Sequence, residues 1–238
     1  MNRSVGDCVV ITSHKRKLHV FGCSHTLSGT LVGPNAYKWS SKNSWGELLA
    51  IEYDLKLHHH GIAGASNFEI YKQAIKLINL SRSHKDYLNK DDIVIIQWSY
   101  INRGYRSDTS KSVMPWRAVD NPGGVDELYY SHFHDSVQCL ANVIGYTHIL
   151  RSTHNNLYFD FVDGSKDLNK VDPTTWNTVA NWSGYTGVFS DHFQFQAGGK
   201  GDIGGTNSRH PCNHLNDNGN RSLAALYKNK LDTHLKGL

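Results

Sequence analysis

The chain has 238 residues and a formal net charge of +4 at pH 7. Hydrophobic residues make up 39% of it, enough to fill a core, and charged residues at 19% are too few for a disordered chain. Lysine and arginine are scattered, so nucleic acid is not expected as a partner, and no segment approaches the roughly 18 apolar residues that span a bilayer, so no membrane partner is expected.

The N-terminal sequence, residues 1–22, lacks an apolar stretch of signal-peptide length. We therefore expect cytoplasmic synthesis without a signal peptide. The four cysteines lie far apart and form no CxxC pair, which is typical of free thiols in a reducing compartment rather than of a disulfide framework.

Strand and helix signals alternate over the first hundred residues. Three segments have the apolar patterns of strands: 18–22, 55–62 and 93–98. One helix is predicted to begin after Ser44, where Glu47 completes a capping-box pattern, and another to span 66–80. Strands interleaved with amphipathic helices predict an α/β fold with a parallel sheet.

The second half of the chain is less regular. Apolar spacings predict a helix over 126–144, a strand at 146–150 and a last helix over 218–235. Between them, aromatic residues stand among Gly, Asn, Ser and Thr. Because there is no internal repeat and no linker, we predict a single domain, residues 1–238, with an irregular aromatic-rich insertion at about 155–207.

Polar and reactive side chains follow the first predicted strand directly after Gly22. They are Cys23, Ser24, His25 and Thr26. Ligands of open parallel sheets bind beyond the carboxyl ends of the strands, so this segment is a candidate site. A serine there becomes a nucleophile when a base takes its proton and N–H donors stabilise the oxyanion. If a helix follows, its N-terminus favours negative charge, although Ser24 would also serve simply as a helix cap.

Two other segments contain the residue types that such a serine needs. Gly61 and Gly64 follow the second predicted strand, in a turn that leaves backbone N–H groups available. The sequence HPCNH, which contains His210 and His214, precedes the last helix. This position allows a histidine to fold back over the first strand as a general base.

These segments, in this order, resemble the SGNH (GDSL-like) hydrolase superfamily. Its G-D-S block matches residues 22–24, with Cys23 in place of aspartate, and its N-x-G-x-x-G block matches the run ending at Gly64. Its last block, a His followed at fixed spacing by Asn, Gly and Ala, fits His214 and not His210. The motifs FGCSHT, SW, GxxGxSN and WS followed by Arg are closest to a variant group often found in bacteriophage genomes.

The resemblance implies a serine esterase on a three-layer α/β/α fold with a mainly parallel central sheet. In it, Ser24 is the nucleophile and His214 is the base. The N–H groups of Ser24 and Gly64 form the oxyanion hole, together with a side chain from Ser99 or Asn102. The implied substrate is a small ester, such as an O-acetyl group on a glycan, and no cofactor or metal is implied.

One position departs from the superfamily and leaves the orienting group of the histidine open. Pro211 stands where the superfamily has an aspartate three residues before the catalytic histidine. Either another acid, Asp202 or Asp191, orients the imidazole, or a backbone carbonyl does and the enzyme works as a Ser-His dyad.

The candidate substrate-binding residues are Arg103, Trp98 and His25.

Two alternative functions stay open. The departures at Cys23 and Pro211 favour a catalytically degenerate fold that binds a glycan or serves as a virion component. Alternatively, the sequences CSH at 23–25 and HPCNH at 210–214 bring together zinc-ligand types, although no CxxC or HExxH spacing supports a metal site. Association with a virion or in a homo-oligomer is a further expectation.

Overall fold

The computed structural model describes residues 15–33, 36–81, 84, 87–101, 104–106, 111–113, 136–163, 165–189 and 214–235. The elements in chain order are β1 (Lys17–Gly22), β2 (Ser28–Gly33), β3 (Ala36–Ser40), α1 (Trp45–Glu52), β4 (Lys56–Gly61), α2 (Asn67–Ile78), β5 (Ile93–Trp98), β6 (Gly104–Arg106), β7 (Lys111–Val113), α3 (Ser136–Thr153), β8 (Leu157–Phe161), α4 (Ser165–Val171), α5 (Pro173–Ala180) and α6 (Asp217–Leu235).

A four-stranded sheet with the order β4-β1-β5-β8 lies at the centre, and all of its pairings are parallel. Every residue of β1, β5 and β8 is buried, as expected for strands covered on both faces. In this register, Gly22 pairs with Gly61 and Trp98 with Phe161. The carboxyl ends of the four strands therefore meet at one edge of the sheet, and the loops after them form one rim.

Helices cover both faces of this sheet. Successive side chains of a strand point to opposite faces. Val20 of β1 points towards Gly46 of α1, which packs in turn on α6. On the other face, Trp98 of β5 lies 6.3 Å from Tyr146 of α3, whose ring stacks on Tyr71 of α2 at 4.3 Å. The predicted three-layer α/β/α fold is confirmed.

A serine caps each of the two helices described in the first half of the chain. Ser66 caps α2 in a complete capping box with Glu69. Ser44 caps α1 by accepting a hydrogen bond from the Glu47 N–H (3.3 Å), but the Glu47 carboxylate accepts from the Asn43 N–H instead of that of Ser44. The second box is therefore only half formed.

The strand predicted at 146–150 is wrong. These residues lie inside α3, and the strand follows later, as β8. The aromatic and β-branched residues of this segment suggested a strand, but the buried positions repeat at spacings of three and four, which is the period of a helix. The fully buried residues of α3 are Leu140, Val143, Thr147 and Leu150.

The predicted irregular insertion contains regular structure in its first half. The segment 157–180 supplies β8, a strand of the central sheet, and the helices α4 and α5. Residues 190–207 lie outside the described residues, as do residues 126–135 of the predicted helix over 126–144. Within the described part of the chain, no helix is long and apolar enough to cross a membrane.

Candidate active site

Ser24 lies in a tight turn at the carboxyl end of β1. The turn is closed by a hydrogen bond from the Thr26 N–H to the Cys23 carbonyl (3.0 Å). The Thr26 hydroxyl donates to Gln97 Oε1 of β5 (2.8 Å), and His59 Nε2 of β4 donates to the Thr26 carbonyl (3.2 Å). The turn is therefore fixed to both neighbours of its own strand, which holds Ser24 in place.

The histidine that holds this turn is neutral. Burial lowers the pKa of His59, because it disfavours the charged imidazolium, and the hydrogen bond to the Thr26 carbonyl opposes this shift only in part. His59 Nδ1 accepts from the Gly61 N–H (3.1 Å), which leaves Nε2 as the protonated nitrogen that donates to Thr26. The turn carrying Ser24 is thus held by an uncharged donor.

No helix follows this turn. After Thr26 the chain enters the antiparallel hairpin of β2 and β3, so Ser24 does not cap a helix. The condition under which a helix N-terminus would lie beside Ser24 is therefore not met.

The structure brings Ser24 and His214 together. His214 Nε2 lies 2.8 Å from Ser24 Oγ, although the two residues are 190 positions apart. Ser24 is 6% exposed. His214 precedes α6, whose first turn is anchored by Asn220: its Oδ1 accepts from the Trp45 N–H (2.9 Å) and its Nδ2 donates to the Asn216 carbonyl (3.0 Å). This anchoring fixes the position from which His214 reaches the serine.

His25 lies against the ring of His214. The two ring centroids are 4.6 Å apart and the planes differ by 20°. His25 is 3% exposed, its Nε2 is 3.2 Å from the Tyr100 hydroxyl, and the Phe189 ring lies 5.8 Å away. The residue predicted to bind substrate therefore faces the candidate base rather than solvent.

The candidate oxyanion glycine lies in the loop that follows β4. The Ile62 N–H donates to the Gly22 carbonyl (3.0 Å), which joins the start of this loop to the end of β1. Gly64 has φ +82°, in the left-handed region that favours glycine, and a Cβ there would meet nothing within 4 Å. The glycine is thus required by the backbone conformation, and the space beside it is open.

The end of β5 is tied to the same loop. Asn67, the first residue of α2, donates through Nδ2 to the carbonyls of Ser99 (3.3 Å) and Tyr100 (3.1 Å). The Ser99 side chain is fully buried, and its hydroxyl makes no hydrogen bond to any described residue. Asn102, the other candidate for the third oxyanion donor, lies outside the described residues.

The remaining predicted site residues separate into two groups. Trp98, predicted to bind substrate, is fully buried in the layer between the sheet and α3, and this prediction is wrong because its side chain offers no surface to a ligand. Arg103, Asp191 and Asp202 lie outside the described residues. The first four residues of the HPCNH segment, 210–213, also lie outside them. Among the residues that the structure does describe, no group of three His, Cys, Asp or Glu side chains is arranged to hold a metal ion.

The sequence analysis did not identify one buried carboxylate, which forms a hydrogen-bond network that includes a residue next to His25. Asp160 is fully buried in β8 and accepts hydrogen bonds from the Phe189 N–H (2.5 Å), the Thr186 hydroxyl (3.1 Å) and the Tyr227 hydroxyl (3.3 Å). Burial, and then the nearby Asp160 charge, raises the pKa of Tyr227 well above its usual range. The signal for this network was an aspartate inside the apolar run LYFDF. Tyr100 and Phe189 had no such signal.

The sequence matches no protein-family model, and no curated protein matches it significantly. Solved structures of esterases are similar to it in fold. A carbohydrate esterase family 2 enzyme with a carbohydrate-binding domain from Corynascus thermopiles (Myceliophthora fergusii) is 12% identical, with a TM-score of 0.50 over 94% of this chain and 67% of that one.

Two further structures illustrate the range of the similarity. A carbohydrate esterase whose active site displays divergent catalytic and non-catalytic binding functions is 18% identical, with a TM-score of 0.49 over 97% of this chain and 67% of that one. A member of the lipolytic G-D-S-L family from Veillonella parvula is 13% identical, with a TM-score of 0.47 over 90% and 97%. Such similarity concerns the fold alone.

Proposed function

We propose that this protein is a serine esterase that releases short acyl groups, such as O-acetyl groups, from a carbohydrate. The observation that carries the proposal is the 2.8 Å contact between Ser24 Oγ and His214 Nε2 at the carboxyl edge of a parallel sheet. A hydroxyl at hydrogen-bonding distance from an imidazole nitrogen is the arrangement that activates a serine. The same rim carries a left-handed glycine, Gly64, beside open space.

In the proposed reaction, His214 Nε2 takes the Ser24 proton as Oγ forms a bond to the ester carbonyl carbon. The tetrahedral intermediate collapses when the bond from that carbon to the alcohol oxygen breaks, and His214 returns the proton to the leaving alcohol. Water then attacks the acyl-enzyme, again with His214 as base, and Ser24 is released. Neither a metal nor a redox cofactor is needed to balance these steps.

The negative charge that develops on the carbonyl oxygen requires donors placed in advance. The Ser24 and Gly64 N–H groups are the proposed backbone donors. The buried Ser99 hydroxyl and Asn102 are the candidates for the side-chain donor, and Asp202 or Asp191 for the acid that orients His214. These roles are proposals.

A solved structure with a similar fold supports the proposed substrate class. The similar structure with a TM-score of 0.50 is a carbohydrate esterase. Aromatic side chains, which stack on the apolar faces of sugar rings, are frequent in the second half of this chain, where the sequence contains Trp176 and Trp182. Trp176 is itself 4% exposed, so residues other than Trp176 would supply the stacking surface.

The test is hydrolysis of p-nitrophenyl acetate and of acetylated xylan by the wild type, Ser24→Ala and His214→Ala. Two variants on the exposed surface of α3, Ser152→Ala and His148→Ala, are the matched controls. We expect the two site variants to lose roughly 10³-fold or more in kcat, by analogy with other serine hydrolases, and the controls to match the wild type.

Equal rates for the wild type and both site variants would reject the esterase. A glycan that binds equally well to all of them would then support the non-catalytic binding module. Stoichiometric zinc in the purified protein, with loss of function on chelation, would support the zinc-binding alternative instead. Association with a virion, or between copies of this chain, stays a prediction.

A further inference from the structure

Two neighbouring residues of one turn act on the same imidazole. Ser24 Oγ contacts His214 at its Nε2 edge, and the His25 ring covers one face of the same ring. A stacked neighbour constrains the plane of a ring, because the two faces must stay in contact. The turn therefore contacts the imidazole both at Nε2 and on one of its faces.

His25 is itself held on several sides. Its Nε2 is within hydrogen-bonding distance of the Tyr100 hydroxyl, and the two rings meet edge to face at 80°. The backbone around Tyr100 is anchored by Asn67, which donates to the Tyr100 carbonyl, and by Asp163, which accepts from the Ile101 N–H (2.6 Å). A rigid support of this kind is what a ring needs if it is to hold another ring in place.

An uncharged support is compatible with the sequence. Pro211, which has no titratable side chain, stands where the resemblance expects an acid that orients the histidine. A stacked aromatic ring orients an imidazole without a charge. It also presents a π-face to the imidazolium that forms when His214 takes the Ser24 proton, and cations are attracted to such faces.

We propose that His25, held by Tyr100, is a positioning residue for His214: it fixes the plane of the imidazole so that Nε2 stays directed at Ser24. The geometric part of this proposal stands on the described contacts alone. Its catalytic consequence rests on the proposed esterase function. His25 itself touches neither the substrate nor the reacting atoms.

Three variants separate the parts of this arrangement. His25→Ala removes both the stacked face and the hydrogen bond, His25→Phe keeps an aromatic face without the hydrogen bond, and Tyr100→Phe removes only the hydroxyl. The exposed His148→Ala is the control. Circular dichroism and urea unfolding establish which variants are folded, and Tyr100→Phe, the smallest change, keeps the test decisive if His25→Ala does not fold.

The kinetic measurement is the separation of kcat from KM. We expect His25→Ala to lose roughly 10- to 100-fold in kcat, the cost of a misplaced catalytic group, with KM within about twofold of the wild type. His25→Phe should recover most of this loss, and Tyr100→Phe should lose roughly threefold to tenfold. Unchanged kcat in both His25→Ala and Tyr100→Phe, or a loss in His25→Phe as large as in His25→Ala, would overturn the proposal.

The structural measurement does not depend on activity. Crystal structures of the variants should show His214 in more than one orientation in His25→Ala, with the contact to Ser24 Oγ partly lost, and in a single orientation in His25→Phe. If His214 keeps its orientation in His25→Ala, the proposal fails even when the enzyme is active. If the wild type shows no hydrolysis that depends on Ser24, the proposed function fails, and the crystal structures alone decide the role of His25.

Discussion

A methyl group added at Gly22 should disrupt the turn that carries Ser24. A Cβ at this position would lie 1.8 Å from Thr26 Oγ1, 2.9 Å from Thr26 Cβ and 3.1 Å from the Gln97 carbonyl oxygen. Ordinary contact is roughly 3.5 Å, so the nearest atom must move by about 1.7 Å. Rotation of the Thr26 side chain cannot remove the clash, because its Cβ and the Gln97 backbone are also too close.

The expected cost has two parts. Moving Thr26 breaks its buried hydrogen bond to Gln97, which costs about 1–3 kcal/mol, and overpacking of the turn costs about 1–3 kcal/mol more. Gly22→Ala should therefore lower the free energy of unfolding by about 2–6 kcal/mol, a change that urea unfolding measures. A shift of about 1 Å at Ser24 should also reduce ester hydrolysis by roughly 100-fold.

The matched control is Gly145→Ala in α3. A Cβ there would meet nothing within 4 Å, and replacing a helix-interior glycine by alanine should stabilise the protein by about 0.5–1 kcal/mol without affecting activity. The double variant Gly22→Ala/Thr26→Ala should be less destabilised than the sum of its single variants, because the closest contact is gone. If Gly22→Ala is as stable and active as the wild type, the described turn is incorrect.

Three further perturbations test other parts of the structure. Gly64→Ala should fold, but with a free energy of unfolding lower by about 1–2 kcal/mol, because φ is positive at this position. Its rate of ester hydrolysis should also fall. An unchanged rate would show that Gly64 does not belong to the active site. Asp160→Asn should lower the free energy of unfolding by about 1–3 kcal/mol, because buried donors lose an acceptor, and no change would contradict the network. Burial lowers the folded-state pKa values of His59 and His154 below about 6.5, so the unfolded chain binds more protons than the folded protein as the pH falls through this value. The urea concentration at the midpoint of unfolding should therefore be lower at about pH 5.5 than at about pH 7.5. A higher midpoint at acidic pH would contradict the lowered pKa values.

Two strands of the central sheet, β1 and β5, were predictable because their environments are simple. β1 and β5 are covered on both faces, so their sequences are continuous apolar runs bounded by turn residues. The start of α2 was predictable for a different local reason, since Ser66 and Glu69 satisfy each other's backbone N–H groups. Features that depend on residues near each other in the sequence can therefore be predicted from one sequence.

Features set by distant residues were not predictable. The segment around Tyr146 has the composition of a strand, but it is helical, and its Tyr146 ring packs on Tyr71 of α2. β8 escaped prediction because Asp160 interrupts its apolar run, and that carboxylate is tolerated only because donors from 186–189 and from α6 surround it. No local pattern indicates such partners.

In the candidate site, too, local features were predictable and contacts between distant residues were not. Motif spacing identified Ser24 and His214, and the structure places their side chains within 2.8 Å of each other, while their catalytic roles stay predictions. The stacking of His25 on His214 and its hydrogen bond to Tyr100 depend on how three loops meet at the rim. Such contacts have no signature in the sequence.

The most direct measurement is covalent labelling with a fluorophosphonate, a probe that reacts with activated serines whatever the natural substrate is. Peptide mass spectrometry then locates the adduct. We expect a single adduct on Ser24 in the wild type and labelling slowed by orders of magnitude in His214→Ala, because the base that removes the proton is absent. An unlabelled wild type, an adduct on another serine, or equal labelling of His214→Ala would contradict it.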